Sequence, residues 1–231
     1  IYGLAPALKG VLHQKLAELE EASEDAHYVD QSLIELIRPE IDSLILRAEN
    51  LDPYDPKADD FMKVISEKLG MAKNKVLVFS TYRHTLAYLE SKLRAGGVRY
   101  GLVHGDIVDV ERANLRHRFG LRKDDPNAID VLISSEVGCE GLDFQFCDCL
   151  VNYDLPWNPM RIEQRIGRID RYGQESKAIG IFNFITPGTI DAEIYNRCLE
   201  RIGVFQHAIG SNEEILGEVT KELGLIATSF N

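Results

Sequence analysis

At 231 residues the chain can bury a full core, and 45% apolar with 27% charged residues is the profile of a water-soluble globular protein. A formal net charge of −11 argues against broad, nonspecific nucleic-acid binding by a basic domain, though it leaves room for a local phosphate site. No apolar run approaches the roughly 18 residues a membrane span needs, and the N-terminus carries no signal-peptide pattern, so a cytoplasmic protein is expected. The first residue is Ile rather than Met, which points to a piece of a longer chain. Four cysteines (Cys139, Cys147, Cys149, Cys198) form one C-x-C pair without a matching second pair. That is a poor zinc pattern, and buried thiols in a reducing compartment are expected instead.

Residues 1–72 read as helical. Leu8, Val11, Leu12, Leu16 and Leu19 make one amphipathic stripe, and Leu33, Ile37, Ile41, Leu44 and Ala48 continue the pattern across Pro39, which should kink or split it. Asp52 to Pro56 is a turn that starts a third helix burying Phe61, Ile65 and Leu69. Glu24-Asp25-Ala26-His27 looks superficially like the acidic box of an ATPase. Such a box should end a buried apolar strand, and this one sits in a charged helical setting, so it reads as a solvated helix end.

From Lys75 the texture changes to strands alternating with helices. Val76–Phe79, Arg99–Val103, Val131–Ile133, Cys149–Tyr153 and Ile179–Ile185 read as strands. Helical patterns run through Leu86, Leu89 and Leu93, and from Val110 to Phe119. This alternation predicts an α/β fold with a mostly parallel sheet flanked by helices over residues 73–187, followed by a helical tail over 188–231. In such sheets ligands collect beyond the carboxyl ends of the strands. Small polar residues cluster there: Ser80-Thr81, His104-Gly105 and Ser134-Ser135. Each alone could be a helix cap, but together they resemble phosphate-binding equipment.

The stretch Asn158–Gly173 carries the strongest signal. Asn158 can cap a helix opening at Pro159. At helical spacing Arg161, Gln164, Arg168 and Arg171 share one stripe with Arg165 beside it, and Ile162, Ile166 and Ile169 share another. The isoleucines pack onto a core. Like charges at this spacing weaken a helix by about 0.2–0.5 kcal/mol a pair, and no acid on the same face relieves them. Such a row in an acidic protein suggests a bound phosphate; a solvated basic face is the alternative.

These segments, in this order, resemble the second RecA-like lobe of superfamily 2 helicases and translocases. Gln164, Gly167, Arg168 and Arg171 match that superfamily's motif VI, Q-x-x-G-R-x-x-R. Ser134 to Phe144 matches motif V, and Val76 to Thr81 resembles motif IV. The residues around Glu136, Glu140-Gly141, Asp154–Pro159 and Ile169–Gln174 are most similar to the Swi/Snf-type branch and, within it, to the RapA-like group. Asp143 stands where an Asn is common, which keeps an acceptor for a ribose hydroxyl.

The resemblance implies that ATP and Mg²⁺ are held mainly by an N-terminal RecA-like lobe bearing a Walker lysine loop and an acidic box. This chain has no G-x-x-x-x-G-K-[S/T], so alone it is expected neither to hydrolyse ATP nor to bind it tightly. By the same resemblance Arg168 and Arg171 are arginine fingers and Gln164 orients them or touches the γ-phosphate. Gly141 and Asp143 approach the nucleotide, and Gly167 lets the opposite lobe come close or is a simple packing glycine. Ser80, Thr81, His104, Gly105, Ser134 and Ser135 would face nucleic-acid phosphates. The implied activity is ATP-dependent translocation, with double-stranded DNA favoured as track and RNA left open. Two other readings stand beside it. One is a noncatalytic module whose helical arms dock a partner such as RNA polymerase; the other is an unrelated phosphate-binding lobe. The second should carry a glycine-rich turn after its first strand, and Ser80-Thr81-Tyr82-Arg83 is not one.

Overall fold

A computed structural model describes residues 2–3, 5–25, 31–156, 158–189, 192–193 and 195–196. Most of the expected tail, Cys198, Ala26-His27 of the acidic string and Trp157 lie outside the described residues. Three helices come first: α1 (Ala5–Asp25), α2 (Gln31–Glu49) and α3 (Pro56–Gly70). There follow β1 (Val76–Phe79), α4 (Arg83–Ala95), β2 (Tyr100–Val103), α5 (Asp109–Gly120) and β3 (Val131–Ser134). A short 3-10 turn (Val137–Cys139), β4 (Cys149–Asn152), α6 (Pro159–Ile166) and β5 (Gly180–Asn183) complete the order.

The five strands form one parallel sheet in the order β2-β3-β1-β4-β5. The chain moves one way from β1 to build β2 and β3, then crosses back to place β4 and β5 on the other side. The reversal falls at β1, the point in such a sheet where a crevice opens outside the carboxyl ends. Because successive side chains alternate between faces, Val76 and Val78 enter one core while Leu77 and Phe79 enter the other. The first core is closed by Phe61 and Ile65 of α3 and by Leu86, Leu89 and Leu93 of α4. The second is closed by Leu115 and Phe119 of α5, with Phe144 and Phe146 edge-on to Phe119 at 5.6 and 5.4 Å.

Both surfaces of the central strands are therefore buried, which explains their unbroken apolar runs. Asp55 caps α3 through Ala58 N at 3.2 Å, as the Asp-Pro turn suggested. Since α3 contributes Phe61 and Ile65 to the sheet's own core, it packs as part of the lobe rather than as a separate arm. Pro39 does not split the helix. α2 runs unbroken through it, although proline removes one helical hydrogen bond. The neighbouring α1 packs along α2 and supplies tertiary support that local preference lacks.

Candidate functional site

α6 begins as its sequence demands, with Asn158 Oδ1 accepting from Met160 N at 3.0 Å and Pro159 in the first turn. It ends sooner than the arginine spacing suggested. Helical structure stops at Ile166, and Arg168 and Arg171 lie in the tight turns that follow, so one continuous helical stripe is not what aligns them. The cause is visible in the backbone. Arg168 O accepts from Phe144 N at 2.8 Å, and Ile169 is fully buried in the second core. Gln174 then ties the segment down, donating from Nε2 to Ile169 O (2.7 Å) and Cys147 O (3.0 Å).

The arginines are also not left to repel one another. Glu136, just beyond β3, reaches α6 from the opposite side of the crevice. One of its carboxylate oxygens pairs with Arg161 and the other with Arg165 at 2.9 Å. Spacing along α6 could not reveal this acid, because it comes from another element. Arg165 is the centre of the arrangement and is 2% exposed. Its Nη1 donates to Asn152 Oδ1 and Asp154 O, both at 2.9 Å, and its Nη2 to Thr81 Oγ1 at 3.3 Å. The guanidinium lies 5.2 Å from the Phe79 ring centre. Burial pushes Arg165 down to about 10, against the pull of the Asp154 charge, so it stays cationic at neutral pH. One buried arginine thus joins the ends of β1, β3 and β4.

Beside this hub opens a cleft of about 300 Å³, lined in part by Glu136, Glu140, Arg161, Gln164, Arg165 and Arg168. Arg168 is half-buried, and among the described residues its guanidinium has no carboxylate partner. Gln164 is exposed at the same rim. Arg171 is placed differently: it is exposed and ion-paired with Asp143. Gly141 has φ +75, a conformation that side-chain-bearing residues rarely adopt, and open space where a Cβ would stand. At Gly167 an added Cβ would approach only Glu163 O and Gln164 O of its own turn, so no other element of the described chain packs against it.

The strand-end hydroxyls divide into two groups. Ser80 and Ser134 are fully buried, which corrects their assignment as phosphate contacts. Ser80 Oγ donates to Asp154 Oδ2, and Ser134 Oγ donates to Ser135 O at 2.7 Å. Their hydroxyls hold the strand ends together and have no open route to a ligand. Thr81 and Gly105 are exposed, and His104 and Ser135 are half-buried. Thr81 N donates to Asp154 Oδ1 at 2.8 Å, and Ser135 Oγ accepts from Gly138 N at 3.1 Å. Glu136, Arg165 and Asp154 complete the site. Sequence reasoning set Arg165 beside the arginine stripe and Asp154 at the strand end leading into α6, but gave neither a contact role, and it gave Glu136 no place in the site.

A parallel sheet of this order, with arginines gathered at its reversal point, defines a RecA-like lobe. Residues 57–173 match the family described as the helicase conserved C-terminal domain. The chain belongs to that family, as the C-terminal lobe of a superfamily 2 helicase. It is 32% identical over 203 residues to the uncharacterized ATP-dependent helicase YqhH of Bacillus subtilis, covering 87% of this chain and 33% of that protein. It is 38% identical over 122 residues to the RNA polymerase-associated protein RapA of Vibrio parahaemolyticus, covering 52% of this chain and 12% of that one. The chain therefore spans a third or less of these relatives. Among solved structures, the C-terminal part of the Fun30 ATPase domain matches with a TM-score of 0.55 at 24% identity, over 77% of this chain and 57% of that one. The Pyrococcus furiosus Hef helicase domain matches at 0.56 and 23%, over 81% and 38%. At such identities these two likenesses speak to the fold alone. No helix among the described residues is long and apolar enough to cross a membrane.

Proposed function

We propose that this chain is the C-terminal motor lobe of an ATP-dependent nucleic-acid translocase, with double-stranded DNA as its favoured track. Its part in hydrolysis is to present Arg168 and Arg171 to a nucleotide gripped by an N-terminal lobe of the same protein. The observation that carries this reading is the state of Arg168. Arg161 and Arg165 share Glu136 and Arg171 has Asp143, while Arg168 faces the cleft with its charge unspent among the described residues.

The donor set on this wall fits a phosphoryl group: the Arg168 guanidinium and the Gln164 amide, with the open backbone of Gly141 in the neighbouring loop. It does not fit the metal. No group of three His, Cys, Asp or Glu side chains that could hold a metal ion occurs among the described residues, and both oxygens of Glu136 are already taken. Mg²⁺ would be held by the other lobe and would supply charge neutralisation at the phosphates there. The Asp143–Arg171 pair does not block Arg171 from serving. An exposed pair is worth about 0–1 kcal/mol. An arginine finger worth roughly 10³–10⁵ in rate corresponds to about 4–7 kcal/mol. A phosphoryl group therefore outcompetes the carboxylate. Thr81, His104, Gly105 and Ser135 remain the candidate contacts to a nucleic-acid backbone, which grip without reading sequence.

In the complete protein, Arg168→Ala and Arg171→Ala are each expected to lower nucleic-acid-stimulated ATP turnover by about 10³ or more while nucleotide binding persists. Near-normal turnover in both variants would overturn the reading. A second role is favoured by one surface feature: α2 exposes Leu36, Leu44 and Leu46. Exposed leucines, even spread around the helix as these are, suit a protein partner, and RNA polymerase is the candidate that the relatives' names supply. Loss of polymerase co-purification on Leu36→Glu plus Leu46→Glu, with turnover intact, is the expected result.

A further inference from the structure

Resting on the motor reading, a second question is how binding of a nucleic-acid backbone at one loop would reach the nucleotide at another. The loop from Val137 to Asp143 contains a single 3-10 turn and is otherwise irregular. Glu140 and Gly141 are exposed, so side-chain packing does little to fix this part of it. Arginines from α5 hold it by its main chain. Arg112 donates from Nε to Gly138 O at 3.1 Å and from Nη2 to Glu140 O at 2.7 Å. One helical turn further on, Arg116 Nε donates to Asp143 O at 3.1 Å. Arg112 Nη2 also reaches Val137 O at 3.5 Å, so four carbonyls of the loop end on two side chains of one helix.

That helix leads directly out of the His104–Gly105 loop, and the two loops lie back to back. Ser135 N donates to Val103 O at 3.0 Å. A Cβ on Gly138 would stand 2.5 Å from Val103 O and 3.0 Å from His104 Cα, and one on Gly105 would stand 3.2 Å from Val137 Cγ1. The two loops are therefore in close contact, so that a shift of one bears directly on the other.

We propose that Arg112, supported by Arg116, is a positioning residue that couples nucleic-acid contact at His104–Gly105 to the placement of Gly141 and Asp143 against the nucleotide. An arginine suits this because its planar fork bridges separate carbonyls in a fixed relation, whereas a lysine's donors share one nitrogen on a flexible stem and cannot fix that relation. The side chain lies behind the loop, 19% exposed and steadied by Asp109 at 3.3 Å. It acts through the backbone it holds.

The test uses the complete protein carrying R112A or R112K. Three quantities are read: ATP turnover with and without duplex DNA, DNA affinity in the absence of nucleotide, and amide hydrogen exchange. R112A is expected to cut the ratio of stimulated to basal turnover by about tenfold, with R112K in between and DNA affinity within about twofold. The amides of Glu140 and Leu142, which donate to Val137 O and Cys139 O, are expected to exchange about tenfold faster while those of β1 do not change. An unchanged stimulation ratio in R112A overturns the coupling. So does an equal fall of basal and stimulated turnover, which is what a purely structural role would give. If the unsubstituted protein shows no DNA stimulation, the motor reading fails instead, and unchanged exchange at Glu140 and Leu142 would separately dispose of the clamp.

Discussion

The two ends of the sheet both gather cations, and they use them differently. At the amino-terminal end, Arg99 makes a two-pronged pair with Asp130 at 2.7 and 2.8 Å and also donates to Asp125 O and Lys123 O. Lys75 sits beside it, donating to Ile129 O at 2.6 Å with Asp130 at 3.6 Å. Lys123 donates to Leu69 O at 2.6 Å. These cations are consumed in tying loops to strand starts. At the carboxyl end Arg165 is consumed in the same way, but three residues further on Arg168 is not. Positive charge in itself therefore says little about function in this molecule; what distinguishes the site is a guanidinium held in place by its backbone and, among the described residues, left without a carboxylate.

Breaking each end separately should expose that difference. Arg168→Ala carries the largest expected effect, a loss of about 10³ or more in stimulated turnover with little change in stability. Arg165→Ala should act mainly on the fold. It leaves one oxygen of Glu136, whose other oxygen keeps Arg161, and the Asn152–Asp154 corner without their buried donor, at a cost of about 3–5 kcal/mol, visible as a lowered denaturation midpoint. Arg99→Ala removes charge-assisted bonds to a buried aspartate, with an expected loss of about 1.5–3 kcal/mol and ATP affinity unaltered. If Arg99→Ala abolished turnover as strongly as Arg168→Ala, the contrast between the two ends would dissolve.

A pH series sharpens the structural side. Burial pushes the Cys139 thiol up to about 11 and the Cys147 and Cys149 thiols up to about 12, from an ordinary 9.0. Their protonated form is therefore favoured in the folded chain, and the stability they lend is intact below pH 9. It declines as pH rises toward 11–12, by about 1.4 kcal/mol per pH unit for each thiol. Cys147→Ala should flatten that decline measurably in alkaline denaturation curves, whereas an unchanged slope would count against burial as its cause. The same three thiols should resist alkylation at pH 8 in the folded protein.

The parallel sheet was legible in the residues because its central strands are buried on both faces and so read as continuous apolar runs. Val76–Phe79 falls on β1 end to end. The cap at Asn158 and the Asp55-Pro56 helix start were legible because their chemistry is local. The site was only half legible. Motif spacing singled out Arg168, Arg171 and Gln164, but nothing in the spacing told Ser80 and Ser134 from Thr81 and Ser135. A hydroxyl at a strand end looks the same in sequence whether it turns inward or outward. Glu136 could not be matched to Arg161 and Arg165 because the pairing crosses the crevice between two strands' ends. The early stop of α6 depends on a hydrogen bond from Phe144, which no helical periodicity encodes.

Chemical rescue gives the most direct test of the central claim. Turnover of the complete protein carrying Arg168→Ala should be measured with saturating ATP and duplex DNA, with and without added guanidinium ion. The expected result is a deep loss of turnover, restored in part by guanidinium, with no such restoration in the Arg165→Ala variant. Turnover near that of the unsubstituted protein, before any guanidinium is added, would contradict the account.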